Sequence, residues 1–269
     1  LCYIRYNIKL EEFIMEIVIK NNAKKNVFVQ LFQNLKSLCE CVSILLNKEK
    51  MYIQGMDSAS ISIFELTLCS DWFDTYEIEK DLVLGVNLNI FAKILNVHKL
   101  NQTIQIKMVN EDLLDISFSG AEKDFDTEFH MPLINLDQEM LNITEMDYDL
   151  EFSMDSKKFK STIDEISNFG DTVKISFEKE EEILLEINDD VLGNMKVHID
   201  LDDVDECSVS DDENINCSFN LKLLQNISNS SKISRNVELK ISSDAPLKCK
   251  YSFDGGSELC YYIAPKLNE

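Results

Sequence analysis

Apolar positions recur along this chain with two alternating periods, and the switches between them mark out its elements. Residues 27–38 place Phe28, Leu31, Phe32, Leu35 and Leu38 on one stripe, the 3.6-residue period of an amphipathic helix. Similar stripes follow at 89–97, 156–166 and 219–227, and the third opens on Ser156, a residue suited to an N-cap. Behind each stripe come three alternating runs: 42–46, 51–54 and 60–68; 103–109, 113–118 and 126–131; 172–178, 183–187 and 193–199; 237–242, 247–253 and 258–264. Another run, Met15-Glu16-Ile17-Val18-Ile19, precedes them all. A two-residue period predicts half-buried strands, and short polar turns such as Asp254-Gly255-Gly256 separate them.

Helix starts near 27, 89, 156 and 219 mean that one helix and about four strands repeat every 62 to 67 residues. Paired repeats predict two similar α+β domains, each with antiparallel sheets that bury one face under helices. Alternation stops over 132–148, PLINLDQEMLNITEMDY, which reads as an extended connector. The expected organisation is an extension over 1–14, a domain over 15–132, a connector over 133–148 and a second domain over 149–269.

At 269 residues and 45% hydrophobic content the chain can bury a substantial core, and no apolar run approaches the ~18 residues of a membrane span. Eight cysteines without a CxxC, beside three histidines, support neither a zinc site nor a disulfide framework; reduced, mostly buried thiols are expected. The run Asp200-Leu201-Asp202-Asp203 with Asp205-Glu206 has the donors for a divalent metal, but no nucleophile, Gly-rich loop or paired histidine accompanies it. It reads as a solvated acidic loop, and neither catalytic residue, metal nor cofactor is expected.

The net charge of −23 argues against nucleic acid until its distribution is examined. Lys24, Lys25 and Lys36 in the first helical region, and Lys93 and Lys99 in the second, have no acid among them. Lys157, Lys158 and Lys160 outnumber Asp164 and Glu165 in the third, and Lys222, Lys232 and Arg235 stand alone in the fourth. The helical regions carry +9, which leaves −32 for the remainder. Helices with one apolar and one basic face make a surface for phosphates without base-edge chemistry, and the acidic sheets face away.

Gly55-Met56-Asp57-Ser58, Phe73-Asp74-Thr75-Tyr76, Gly85-Val86-Asn87-Leu88, Leu192-Gly193-Asn194, Ser243-Asp244-Ala245-Pro246-Leu247 and Tyr261-Tyr262-Ile263-Ala264-Pro265-Lys266 resemble, in type and order, the eukaryotic proliferating cell nuclear antigen (PCNA) family of DNA sliding clamps. The resemblance covers Met15 to the end. It implies a homotrimeric ring in the nucleus, or in a viral replication compartment, with helices lining a hole for double-stranded DNA. It further implies tethering of DNA polymerase, clamp loader, flap endonuclease, DNA ligase and other PIP-box proteins. A specialised clamp-fold subunit, of a checkpoint heterotrimer or a viral processivity factor, is the alternative.

Carried over from the family, the partner pocket comprises Met56, Ser60, Ile61, Ile63, Leu141, Ile143, Tyr148, Pro246, Tyr262, Ala264 and Pro265. It would take a short motif of Gln, an aliphatic residue and two aromatics. The implied trimer contacts are Phe125, Phe129, Met131, Leu192, Met195 and Val197 on edge strands, and Lys179 falls at the family's ubiquitin-acceptor position. Ser60 replaces the family's histidine, Asn142 and Thr144 replace the connector's Gly and Pro, and Asp164 and Asn168 replace inward basic residues.

Overall fold

The structure, a computed structural model, describes residues 14–110, 112–120, 125–136, 140–178, 182–210 and 215–266. Each α-helix starts where an Asn or Asp side chain accepts backbone N–H groups that have no partner within the first turn. Asn21 caps α1 (Asn22–Leu35), Asn87 caps α2 (Leu88–Leu95), Asp155 caps α3 (Ser156–Ile166) and Asn220 caps α4 (Leu221–Ser228).

The N-terminal half holds β1 (Met15–Ile19), β2 (Cys41–Leu46), β3 (Lys50–Met56), β4 (Ser62–Cys69), β5 (Thr75–Ile78), β6 (Leu82–Asn87), β7 (Thr103–Asn110), β8 (Leu113–Ser119) and β9 (Thr127–Pro132). The C-terminal half holds β10 (Leu150–Asp155), β11 (Thr172–Glu178), β12 (Glu182–Asp189), β13 (Gly193–Asp200), β14 (Glu206–Val209), β15 (Ile215–Asn220), β16 (Asn236–Ile241), β17 (Leu247–Ser252) and β18 (Glu258–Ile263).

Three antiparallel sheets result among the described residues. One belongs to the N-terminal half, β5-β1-β7-β8-β9, and one to the C-terminal half, β13-β12-β11-β15. The third, β14-β10-β16-β17-β18-β4-β3-β2-β6, crosses between halves where β4 pairs with β18 from Ser62↔Ile263 to Thr67↔Glu258. Alternation along β4 sends Phe64, Leu66 and Leu68 inward and leaves Ile63, Glu65 and Thr67 on the outer face. Under the sheets, Phe32 meets Phe28 and Phe91 edge-on at 4.9 and 4.6 Å between ring centres, which ties α1 to α2. A buried polar link also crosses the halves, with Asn34 Nδ2 donating to Ser230 Oγ at 3.3 Å and that hydroxyl 3.0 Å from the Tyr261 hydroxyl.

Several expectations change. α1 begins at Asn22, five residues before the apolar stripe, because the Asn21 cap sets the start. Asp155, not Ser156, caps α3, and the buried Ser156 hydroxyl instead donates to the Ser231 and Ser234 carbonyls. β4 starts at Ser62, since Ser60 lies in a turn at φ +58°. Five strands were not expected: β5, β6, β10, β14 and β15. Three of these, β6, β10 and β15, end on a helix cap, a signal that apolar periodicity ignores. Among the described cysteines, all free, Cys217, Cys249 and Cys260 are buried, Cys39, Cys41 and Cys69 are half-buried and Cys207 is exposed, so the thiols are less buried than expected.

Lys25 corrects the assignment of that residue to a DNA-facing surface. It is 1% exposed, and its ammonium donates to the Leu100 and Gln102 carbonyls at 2.8 and 2.5 Å, pinning the segment after α2 to α1. Burial holds its pKa below the usual lysine value, opposed by the charge of Asp74. Its neighbour Lys24 lies 5.7 Å from the Trp72 ring centre. Lys25→Ala strands two carbonyls and is expected to cost about 2–3 kcal/mol in urea unfolding, whereas Lys24→Ala costs under about 1 kcal/mol. Equal costs for the two would contradict the buried tie.

Candidate functional site

Three neighbouring strands bring together residues far apart in sequence. Met56 on β3 pairs with Ile63 on β4, and Ile63 pairs with Tyr262 on β18, so the three make a row across the outer face. Lys248, opposite Tyr262 on β17, extends the row, with its ammonium 5.5 Å from the centre of the Tyr262 ring. Ile61 joins through its carbonyl, which accepts from Ala264 N at 2.9 Å. Ile61 is exposed, Ile63 and Met56 are half-buried, and just after β18 Ala264 is exposed and Pro265 half-buried. Pro246 is half-buried just ahead of β17, whose first residue Leu247 pairs with Ile263.

The connector lies over this face. Ile134 N donates to the Gly85 carbonyl at 2.9 Å, an approach that a Cβ at position 85 would block, since it would fall 1.8 Å from the Ile134 carbonyl oxygen. Gln54 then holds the connector from below: its Nε2 donates to the Leu141 carbonyl at 3.0 Å and its Oε1 accepts from Leu141 N at 2.7 Å. A side-chain amide thereby stands in for a strand partner, and Gln54 itself is 4% exposed. Beneath the next residues, Ile143 and Tyr148 line a cleft of about 420 Å³ together with Glu65, Tyr262 and Lys248. Glu65 accepts from the Tyr52 and Tyr262 hydroxyls at 2.5 and 3.0 Å. Burial first, and then the neighbouring Cys260 and Glu65, push the Tyr262 phenol up, so it stays a donor.

The turn that presents Ser60 and Ile61 is built on Asp57. Its buried carboxylate accepts from the backbone N–H of Ala59, Ile61 and Ser62 at 2.9, 2.8 and 2.5 Å, and from the Ser62 hydroxyl at 3.1 Å. Burial alone would raise its pKa, but these donors outweigh it and hold the carboxyl below its ordinary value.

Of the remaining expected cations, Lys93, Lys99, Lys157, Lys222, Lys232 and Arg235 are exposed, and Lys24 and Lys36 are half-buried. Lys158 pairs with Asp203 at 3.4 Å and Lys160 with Asp164 at 2.7 Å. Phe125 and Leu192 are exposed, while Phe129, Met195 and Val197 are half-buried on β9 and β13. Met131 is 1% exposed and belongs to the core of its own half, which removes it from the expected contact set. Lys179 lies outside the described residues. Among the described residues, no three His, Cys, Asp or Glu side chains gather as a metal site needs, and no helix is long and apolar enough to cross a membrane.

Sequence reasoning missed Gln54, Asp57, Glu65 and Lys248. Gln54 and Glu65 had a signal, since alternation places both on the outer face and directly opposite one another. Nothing in their immediate sequence announces the connector above them.

Comparison with known proteins covers nearly the whole chain. Residues 15–140 match the N-terminal domain of proliferating cell nuclear antigen and residues 142–266 its C-terminal domain. The chain is 29% identical over 256 residues to "Proliferating cell nuclear antigen 2" of Plasmodium falciparum, covering 90% of this chain and 96% of that protein. It is 26% identical over 250 residues to "Proliferating cell nuclear antigen" of Chaetomium thermophilum, covering 91% and 96%. Its fold matches the crystal structure of Proliferating Cellular Nuclear Antigen from Entamoeba histolytica with a TM-score of 0.83 at 22% identity, over 95% of this chain and all of that one.

Two measurements test the geometry. Gln54→Ala removes both bonds to Leu141, so hydrogen exchange at the Leu141 amide should accelerate while the β4 amides keep their protection. Because the folded pKa of Asp57 is depressed, its contribution to stability is full above the unfolded value of about 3.9 and is lost as pH falls through the folded value. Asp57→Asn should flatten that acid limb of the stability profile; an unchanged limb would contradict the role of the carboxylate.

Proposed function

The chain belongs to the proliferating cell nuclear antigen family of DNA sliding clamps, a family of non-enzymatic clamps, and from that premise we propose that three copies close into a ring around duplex DNA. Such a ring tethers DNA polymerase, clamp loader, flap endonuclease and DNA ligase without sequence preference, in the nucleus. Its subunit would consist of domains 15–132 and 149–269 joined by the connector 133–148.

One observation carries the ring. After α1 come β2, β3 and β4; after α3 come β11, β12 and β13, so β13 occupies the place of β4. By the same order β9 occupies the place of β18, each closing its half. Inside the chain β4 and β18 pair and complete nine strands from four and five. β13 and β9 are edges of sheets of four and five strands among the described residues, so pairing them between copies repeats the internal junction. Phe125 and Val191, both 91% exposed beside these edges, would then be covered.

The helical layer supplies the DNA-facing surface through Lys93, Lys99, Lys157, Lys222, Lys232 and Arg235, with Lys24 and Lys36 at its margins. Encirclement lets each phosphate contact be weak, because escape requires breaking the ring. The row Met56, Ile63 and Tyr262, with Ile61, Leu141, Ile143 and Ala264 around it, forms a socket for the aromatic anchors of a PIP-box peptide, and the connector offers backbone for added pairing.

Light scattering should return a mass three times 31.0 kDa, and a persistent monomer would defeat the ring. A heterotrimeric checkpoint-type subunit would instead trimerise only with other chains. Lys93→Glu with Lys222→Glu should weaken polymerase stimulation on primed DNA several-fold, more at low salt, while the trimer stays intact. Unchanged stimulation would count against the helical surface.

A further inference from the structure

One carboxylate on the outer face serves two phenols. Tyr52 on β3 and Tyr262 on β18 stand on the strands either side of Glu65, and each donates its hydroxyl to one of its oxygens, at 2.5 and 3.0 Å. Each phenol also carries a lysine over its ring. The Lys50 ammonium lies 5.2 Å from the centre of Tyr52, and the Lys248 ammonium 5.5 Å from the centre of Tyr262. Among the described residues neither lysine makes an ion pair, although a carboxylate stands between the two rings. A phenol that donates to a carboxylate gains electron density in its ring, and an electron-rich ring holds a cation more strongly. Glu65 therefore acts on the lysines through the rings.

The two lysines differ in what they face. Lys248 is half-buried and lines the cleft of about 420 Å³ beneath the connector, in the row of Met56, Ile63 and Tyr262, whereas Lys50 is not part of that lining. Glu65, Glu145, Asp147 and Glu258 line the same cleft, yet Lys248 pairs with none of them. Lys240, the other cation of the lining, is held by Glu151 and Glu238 at 2.7 and 3.0 Å. The Lys248 ammonium is left to the Tyr262 ring. A lysine held by one ring face, and not by a carboxylate, keeps its charge on offer to a second ring.

We propose that Lys248 is a specificity-determining residue of the partner socket, its ammonium shared between the Tyr262 ring and an aromatic anchor of the bound peptide. The proposal rests on the socket described above and adds to it a rule for choosing the anchor. An anchor seated against the row strips water from the ammonium, and a desolvated charge without a new partner is costly. An electron-rich ring offsets that cost through its π-face; an aliphatic side chain, or a ring drained of electron density, does not. The socket then ranks anchors by π-electron density and not by apolar area alone. Glu65 is the positioning residue of this arrangement, since its bond to Tyr262 fixes the ring on which Lys248 rests.

Matched PIP-box peptides test this by isothermal titration calorimetry on the full chain, with phenylalanine or pentafluorophenylalanine at one aromatic position and then at the other. Fluorination keeps the outline of the ring and its apolar character while reversing its quadrupole. At one of the two positions the wild-type chain should bind the fluorinated peptide about fivefold more weakly. Lys248→Met, which keeps the length of the side chain, should erase that difference. Lys248→Arg should keep it, and Lys50→Met should leave it unchanged. Equal affinity for both peptides at both positions in the wild type, or a difference that survives Lys248→Met, overturns the role of Lys248 and leaves the socket standing. A wild-type chain that binds none of the peptides, while circular dichroism shows it folded, defeats the socket itself and this proposal with it.

Discussion

The antiparallel seam between β4 and β18 is the interaction on which the other features depend. It joins a four-strand set from one half to a five-strand set from the other, and its backbone hydrogen bonds leave no edge at the centre of the chain. The same pairing aligns Met56, Ile63 and Tyr262 and sets Glu65 beneath the connector, so the proposed partner socket is a by-product of register. A one-residue slip would turn Ile63 and Glu65 inward and expose Phe64 and Leu66. Stability and recognition thus share one constraint, and neither can drift without the other.

Above the seam, order is transmitted to the connector through few contacts. Gly85 admits it at one end, and the Gln54 amide brackets Leu141 further along. These anchors are individual hydrogen bonds of modest net worth, about 1 kcal/mol each. A surface of that kind can adapt to different peptides while its floor, tied by Tyr52, Glu65 and Tyr262, stays rigid. The Asp57 turn provides the opposite wall, with four donors converging on one carboxylate and Ile61 held in place by Ala264.

Charge is distributed less simply than composition suggested. Lys25 serves the core, Lys158 pairs with Asp203 and Lys160 with Asp164, so not every cation of the helical regions stands open on their surface. Exposed ion pairs of this sort contribute little stability but lower the local potential. The proposed grip on DNA is accordingly weak and topological, and the cations left exposed act through proximity more than through bonding.

Periodicity alone determined the four helices, most strands and the two-fold repeat, because an amphipathic pattern can bury its apolar face in only one way. Motif order determined the family, and the segregation of lysines pointed to the helical layer. Helix starts escaped it, since caps such as Asn21 and Asp155 act through single side chains that leave no period. Tertiary structure alone decided that Lys25 points inward, that Met131 is core and that Gln54 brackets the connector. For Lys25 and Gln54 the deciding partners, Gln102 and Leu141, lie dozens of residues away, at contacts that local pattern cannot encode.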